Sequence, residues 1–332
     1  MNNMNMILMG LLPAICAFAV TALTGPVFIP WLRKLKFGQE IREEGPAWHQ
    51  KKSGTPTMGG LMFMLGITVA VAAVFLVSVL AGNGEGDVAK SVLILAVALG
   101  FGAIGFVDDF IKVVKKRNLG LKALPKFLLQ MLITVVYLGI LMLTGDLSAE
   151  IAIPFTDFSL SMPMWLYFIF VMFVVTGTVN AVNLTDGIDG LASSVTVPVV
   201  ILFALCGWRM GEAGIYSFGL AVAGGLAGFL LFNKHPAKVF MGDTGSLFLG
   251  GAVVAIAVAL QMHLYLIIAG FVYFAETLSV ILQVASFKLT GKRIFKMTPI
   301  HHHFEMCEWN EVKIVTVFTA VTVILCAVSY FV

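Results

Sequence analysis

The sequence predicts an all-α integral membrane protein of about ten transmembrane helices, built as a single polytopic domain over residues 1–332. Three observations predict it. The chain is 59% hydrophobic and only 12% charged, too little polar surface to coat a soluble globule of this size. Unbroken apolar runs of roughly 20 residues recur, the length a helix needs to cross a bilayer. These runs do not alternate apolar with polar residues, as barrel strands would.

The spans fall at approximately 7–32, 57–80, 91–107, 127–144, 163–181, 190–207, 215–232, 245–261, 265–287 and 314–331. The first lacks the basic leader and short apolar core of a cleaved signal, so it is expected to remain as a span. The ninth is the least regular, because Glu276 and Gln283 interrupt it. A glutamate there is costly unless it faces protein or water, so it marks an expected break and carries no catalytic assignment. Cys16, Cys206 and Cys326 fall inside spans and Cys307 lies alone in a loop, which suits neither a disulfide nor a zinc site.

Basic residues orient the bundle. Of the 21 Lys and Arg residues, 19 fall in the odd-numbered connections; the exceptions are Lys90 and Arg209. Such asymmetry places the odd connections in the cytoplasm and both termini outside. The even connections are short and bland, so function is expected at the cytoplasmic helix ends.

Five segments carry the chemistry. Asp108 and Asp109 follow the third apolar run directly, with Lys112 one helical turn later. Adjacent carboxylates at a helix C-terminus oppose its dipole, and a bound divalent cation would relieve the repulsion. Asn180 to Gly190 carries two Asp-Gly steps, which turn chemistry explains. Turn chemistry does not explain Asp186 and Asp189 in an odd connection without Lys or Arg, and a polar ligand pocket does. In Phe240 to Ser246, Asp243 and Thr244 are plausible N-caps of the eighth helix. Gly242 and Gly245 there suggest close backbone approach to something bulky, with helix N-terminal amides available for phosphate. His301, His302 and His303 sit in a basic loop near Lys292, Arg293 and Lys296, where imidazoles suit an anion or a proton transfer better than zinc. Gly45 to Gly60, with Lys51 and Lys52, could clamp a phosphate, although its Gly and Lys order is not that of a Walker loop.

Gly54-Thr-Pro-Thr-Met-Gly-Gly60, Val107-Asp-Asp-Phe-Ile-Lys112, Asn180 to Gly190, Met241 to Leu247 and Pro299-Ile-His-His-His-Phe-Glu305 together resemble the phospho-N-acetylmuramoyl-pentapeptide transferases. These form a branch of the bacterial polyprenyl-phosphate N-acetylhexosamine-1-phosphate transferase superfamily. The resemblance runs nearly end to end. It implies ten helices in the bacterial inner membrane, a cytoplasmic active site, Mg²⁺, and usually a homodimer; no nucleic acid is involved. The implied reaction joins UDP-N-acetylmuramoyl-pentapeptide to undecaprenyl phosphate, giving lipid I and UMP, the first membrane step of peptidoglycan synthesis.

Residue by residue, the resemblance implies Asp243 as a metal ligand, with Asp108 and Asp109 as metal-proximal or base residues and Asn183 beside them. Asn183, Asp186 and Asp189 belong near the nucleotide, with Lys52 and Phe240 helping to hold the uridine side, and Asn180, Leu184, Gly187 and Asn233 count among the substrate-binding residues. Lys112, Lys126 and one of His301 and His302 would bind the pyrophosphate; His301, His302 and His303 all count as substrate-binding, His301 with a catalytic part. Lys122 competes with Lys126 for its place. Two alternatives stand beside this reading: a transferase for another sugar, such as N-acetylglucosamine-1-phosphate, and a transporter. A transporter site should lie near the midplane between repeated halves. No repeat is visible.

Overall fold

In hydrocarbon every backbone N–H and C=O must be satisfied within the chain, so long apolar runs become helices. The computed structural model describes residues 3–35, 54–80, 86–115, 119–156 and 158–331. Its elements are α1 (Asn3–Lys34), α2 (Gly60–Leu80), α3 (Gly86–Val114), α4 (Ala123–Thr144), β1 (Glu150–Ala152), β2 (Ser159–Ser161), α5 (Met164–Thr185) and α6 (Leu191–Arg209). Then come α7 (Ala213–Asn233), α8 (Gly242–Ala259), α9 (Tyr265–Ala269), α10 (Phe271–Thr290), α11 (Ile300–Glu305) and α12 (Glu311–Tyr330). Ten of these helices, all but α9 and α11, are long and apolar enough to cross a membrane. The protein is an all-α multi-span membrane protein.

The core centres on α8, whose most apolar stretch is 83% buried against 22% for that of α10. With lipid as apolar as leucine, close van der Waals packing replaces the hydrophobic drive between helices. Small residues supply it. A Cβ at Gly105 of α3 would strike the Asp243 carbonyl of α8, and one at Gly224 of α7 would strike the Ala14 carbonyl of α1. Phe63 of α2 meets Phe229 of α7 and Phe248 of α8 edge-on, with centroids 5.1 and 5.9 Å away.

Several boundaries differ from the sequence reading. The third helix continues to Val114, so Asp108 and Asp109 lie inside it rather than beyond its end. The ninth run divides at Gly270, which separates α9 from α10. The fifth helix reaches Thr185, past the expected end of its span, which places Asn183 on a helix rather than in a loop. The triple histidine forms the short helix α11 instead of a loop. One connection holds an antiparallel hairpin, β1 with β2, that alternation did not announce.

At the end of the bundle away from the site, Lys90 pairs with Asp146 at 3.1 Å and Glu212 at 2.7 Å. The Tyr167 hydroxyl meets His263 Nε2 at 3.0 Å.

Candidate active site

The C-terminal turns of α3 abut the N-terminus of α8. A helix N-terminus presents unsatisfied N–H groups and partial positive charge. Asp109 answers both: its Oδ1 accepts the Asp243 N–H at 3.2 Å, and its Oδ2 accepts the Thr244 N–H at 2.9 Å and the Thr244 hydroxyl at 2.7 Å. Asp243 and Thr244 are therefore not the caps expected of them. They lie in the first turn of α8, and the cap comes from another helix. Gly242 and Gly245 likewise face the chain itself, Gly242 against Asp109 and Gly245 against Gly60, not an open ligand space.

Asp243 gathers the rest. Its Oδ2 lies 3.0 Å from Lys112 Nζ and 2.9 Å from Lys126 Nζ. Its Oδ1 accepts the Asn183 side-chain amide at 3.0 Å, and that amide also reaches Ser246 Oγ at 2.7 Å. Lys112 returns to Asp108 Oδ2 at 2.6 Å, while Asp108 Oδ1 accepts the Leu121 N–H at 2.9 Å. Lys126 stands in the first turn of α4, a poor place for a cation by dipole, and Asp243 offsets that. Lys122 is exposed. Three carboxylates, from Asp108, Asp109 and Asp243, thus bring oxygen atoms within 4.8 Å of one another.

The α5–α6 turn closes one side. Burial, reinforced by the charges of Asp243, Asp109 and Asp189, pushes the Asp186 carboxyl up to about 8. Asp189 is buried and accepts from the Ala237 N–H at 2.9 Å and lies 3.1 Å from His235 Nδ1. Its own N–H donates to Glu311 at 3.0 Å. Asn233 braces the same region by donating to the Val239 carbonyl at 3.0 Å.

The three histidines take three different partners. His301 is fully buried with Nδ1 3.0 Å from Glu276 Oε2. His302 Nδ1 lies 2.6 Å from Glu305. His303 Nδ1 accepts the Lys296 N–H at 3.1 Å, which turns it into the basic loop.

A family model, glycosyl transferase family 4, matches residues 91–261, and signature 1 of the phospho-N-acetylmuramoyl-pentapeptide-transferases matches residues 52–64. A phospho-N-acetylmuramoyl-pentapeptide-transferase from Clostridium botulinum (strain Alaska E43 / Type E3) is 50% identical over 315 residues, 94% of this chain and 93% of the relative. Those of Geobacillus thermodenitrificans and Bacillus subtilis (strain 168) are 50% and 49% identical, covering 92% and 95% of this chain and the same shares of the relatives. The chain belongs to the phospho-N-acetylmuramoyl-pentapeptide-transferase family.

In this member of the phospho-N-acetylmuramoyl-pentapeptide-transferase family, one end of the bundle unites Asp108, Asp109, Lys112, Lys126, Asn183 and Asp243, drawn from α3, α4, α5 and α8. Leu184, Asp186 and Phe240 are half-buried around it, and Gly187 is exposed beside His301. Asn180 bonds Gln130 at 2.9 Å, one turn into the membrane from Lys126. Of the segment Gly45 to Gly60, read as a phosphate clamp, the part before Gly54, with Lys51 and Lys52, lies outside the described residues, and the rest lends its backbone to the approach to α8: the Phe240 N–H donates to Pro56 and the Gly59 N–H to Phe240, at 2.9 and 2.8 Å. Sequence reasoning gave Glu276, Thr244, Ser246 and Gln130 no place in the site. Gln130 was detectable as an amide in an apolar run four residues from Lys126.

Proposed function

We propose that this chain transfers phospho-N-acetylmuramoyl-pentapeptide from its UDP carrier to undecaprenyl phosphate, forming lipid I and UMP at the cytoplasmic face of a bacterial inner membrane. The observation that carries the reading is the junction of Asp243 with Lys112 and Lys126 at a helix end. Family membership supplies the substrates. An oxygen of the lipid phosphate attacks the β-phosphorus of the nucleotide sugar. The bond from that phosphorus to the bridging oxygen breaks, and UMP leaves with the oxygen. The second pKa of a phosphate is near 6, so the nucleophile is largely ionised at pH 7 and needs no protein base.

The donor set fits Mg²⁺, a hard cation that takes carboxylate oxygens. Asp243 and Asp108 would hold it; Asp109 is committed on both oxygens to the amides of α8. When bound, the ion neutralises charge developing on the pyrophosphate oxygens. Lys112 and Lys126 are placed to follow their carboxylate partners toward an incoming phosphate and stabilise the same charge. Asn183 holds the Asp243 carboxylate in register, and Asp186 with Asp189 borders the nucleotide. The basic odd connections and the location of the whole cluster at their end support a cytoplasmic site.

The test supplies UDP-N-acetylmuramoyl-pentapeptide or UDP-N-acetylglucosamine separately to the purified chain with undecaprenyl phosphate and Mg²⁺. UMP is expected only from the first, and EDTA should stop its release until Mg²⁺ is restored. Release from the acetylglucosamine compound alone would overturn the reading, and so would full activity in EDTA.

A further inference from the structure

Glu276 lies inside an apolar span, where a carboxylate is expensive and needs a reason. Its partner is His301. Both are fully buried, and one oxygen, Glu276 Oε2, meets His301 Nδ1 at 3.0 Å and the His301 backbone N–H at 3.3 Å. Since Oε2 already accepts the His301 backbone N–H, it serves as acceptor for the ring as well, so the imidazole donates through Nδ1 and Nε2 is left to act. Among the described residues His301 Nε2 has no hydrogen-bond partner. It faces the turn between α5 and α6: a Cβ placed on Gly187 would land on the imidazole. Gly187 follows Asp186 directly and lies two residues before Asp189. A ring held at one nitrogen by a carboxylate has its tautomer and orientation fixed for the other nitrogen, the arrangement by which outer partners tune a working histidine.

We propose that Glu276 is a positioning residue of the transferase site, holding His301 so that Nε2 backs the Gly187 turn and sets that turn for the nucleotide sugar. The proposal rests on the transferase reading above. Glu276 is not a catalytic residue, because among the described residues its carboxylate hydrogen-bonds to His301 and to no other group of the site.

The experiment is a double-mutant cycle on the full chain in detergent, reading kcat and KM for UMP release from UDP-N-acetylmuramoyl-pentapeptide. Glu276→Gln is expected to lower kcat/KM about tenfold or more, and Glu276→Asp to recover part of it. In a His301→Ala background, Glu276→Gln should cost no more than about twofold further, since its route of action is gone. A role in helix packing alone would cost the same factor in both backgrounds, and that result overturns the proposal, as does wild-type kcat/KM in Glu276→Gln. If Glu276→Gln fails to give a monodisperse protein, Gly187→Ala decides, because it leaves both partners intact and crowds Nε2. Loss comparable with that of His301→Ala is expected, and an unchanged kcat/KM overturns the proposal. A wild-type chain that releases no UMP overturns the transferase reading and this proposal together; active wild type with unaffected variants overturns this one alone.

Discussion

Asp109 accepts both the backbone N–H and the hydroxyl of Thr244, at 2.9 and 2.7 Å, so a residue of α3 caps α8 from 135 positions away. One carboxylate of the acidic pair is thereby structural. Its neighbour Asp108 bonds a lysine and a loop amide instead.

Asp109→Ala should therefore cost more stability than Asp108→Ala. It strands buried donors at a helix start, a loss of about 2 kcal/mol or more. Thermal unfolding of the two variants in the same detergent measures it, and equal midpoints would refute the capping role.

Asp243→Asn should abolish turnover while leaving a folded protein, because the asparagine keeps the shape but loses the charge that Lys112 and Lys126 both meet. A fall of about a hundredfold in kcat is expected at limiting Mg²⁺. Wild-type activity under those conditions would remove Asp243 from the metal site.

Lys126→Ala should lower activity about tenfold or more, whereas exposed Lys122→Ala should leave it near wild type. UMP release by both variants, assayed side by side, separates them. The reverse order would reassign the pair.

Much of this was legible because membrane physics is blunt. Apolar runs long enough to span announced all ten helices, and the split of basic residues put the chemical segments at one end. The residues of the Asp108, Asp186 and Asp243 segments were visible as carboxylates in unexpected places. What sequence did not reveal was partnership. Asp109 looked like a strained helix end, yet its strain vanishes against the N-terminus of α8, a contact invisible to any local reading. Glu276 was noticed for its cost and left without work, because His301 is 25 residues away and joined to it only by folding. Nothing local showed where each histidine would point; in α11 His303 turns toward Lys296.

Gly105→Ala should disturb the site without touching a polar group. The added methyl meets the Asp243 carbonyl, so α3 and α8 must separate. A destabilisation of about 1–3 kcal/mol is expected from such overpacking, with a parallel loss of kcat. Unaltered thermal unfolding and turnover would show that the helices have room to spare.

Acid should weaken the far end of the bundle. Burial pushes His263 down from 6.5 to about 4. The unfolded chain thus binds the proton first, and the stability from keeping this ring neutral is complete above pH 6.5 and is lost as pH falls toward 4. The full effect is about 3 kcal/mol. Unfolding midpoints of wild type and His263→Gln between pH 7 and pH 4.5 test it; identical slopes would exclude His263 as the cause.

The Asp109 cap also has a consequence for biogenesis. At a translation rate of roughly 5–20 residues per second, Thr244 is made roughly ten seconds after Asp109. During that interval Asp108 and Lys112 of the nascent third helix have each other, but Asp109 lacks the amides it will cap and Lys112 lacks Asp243, and these partners do not yet exist. Water at the membrane surface must serve as their placeholder, so the ribosome finishes α8 before the enzyme has a centre to assemble.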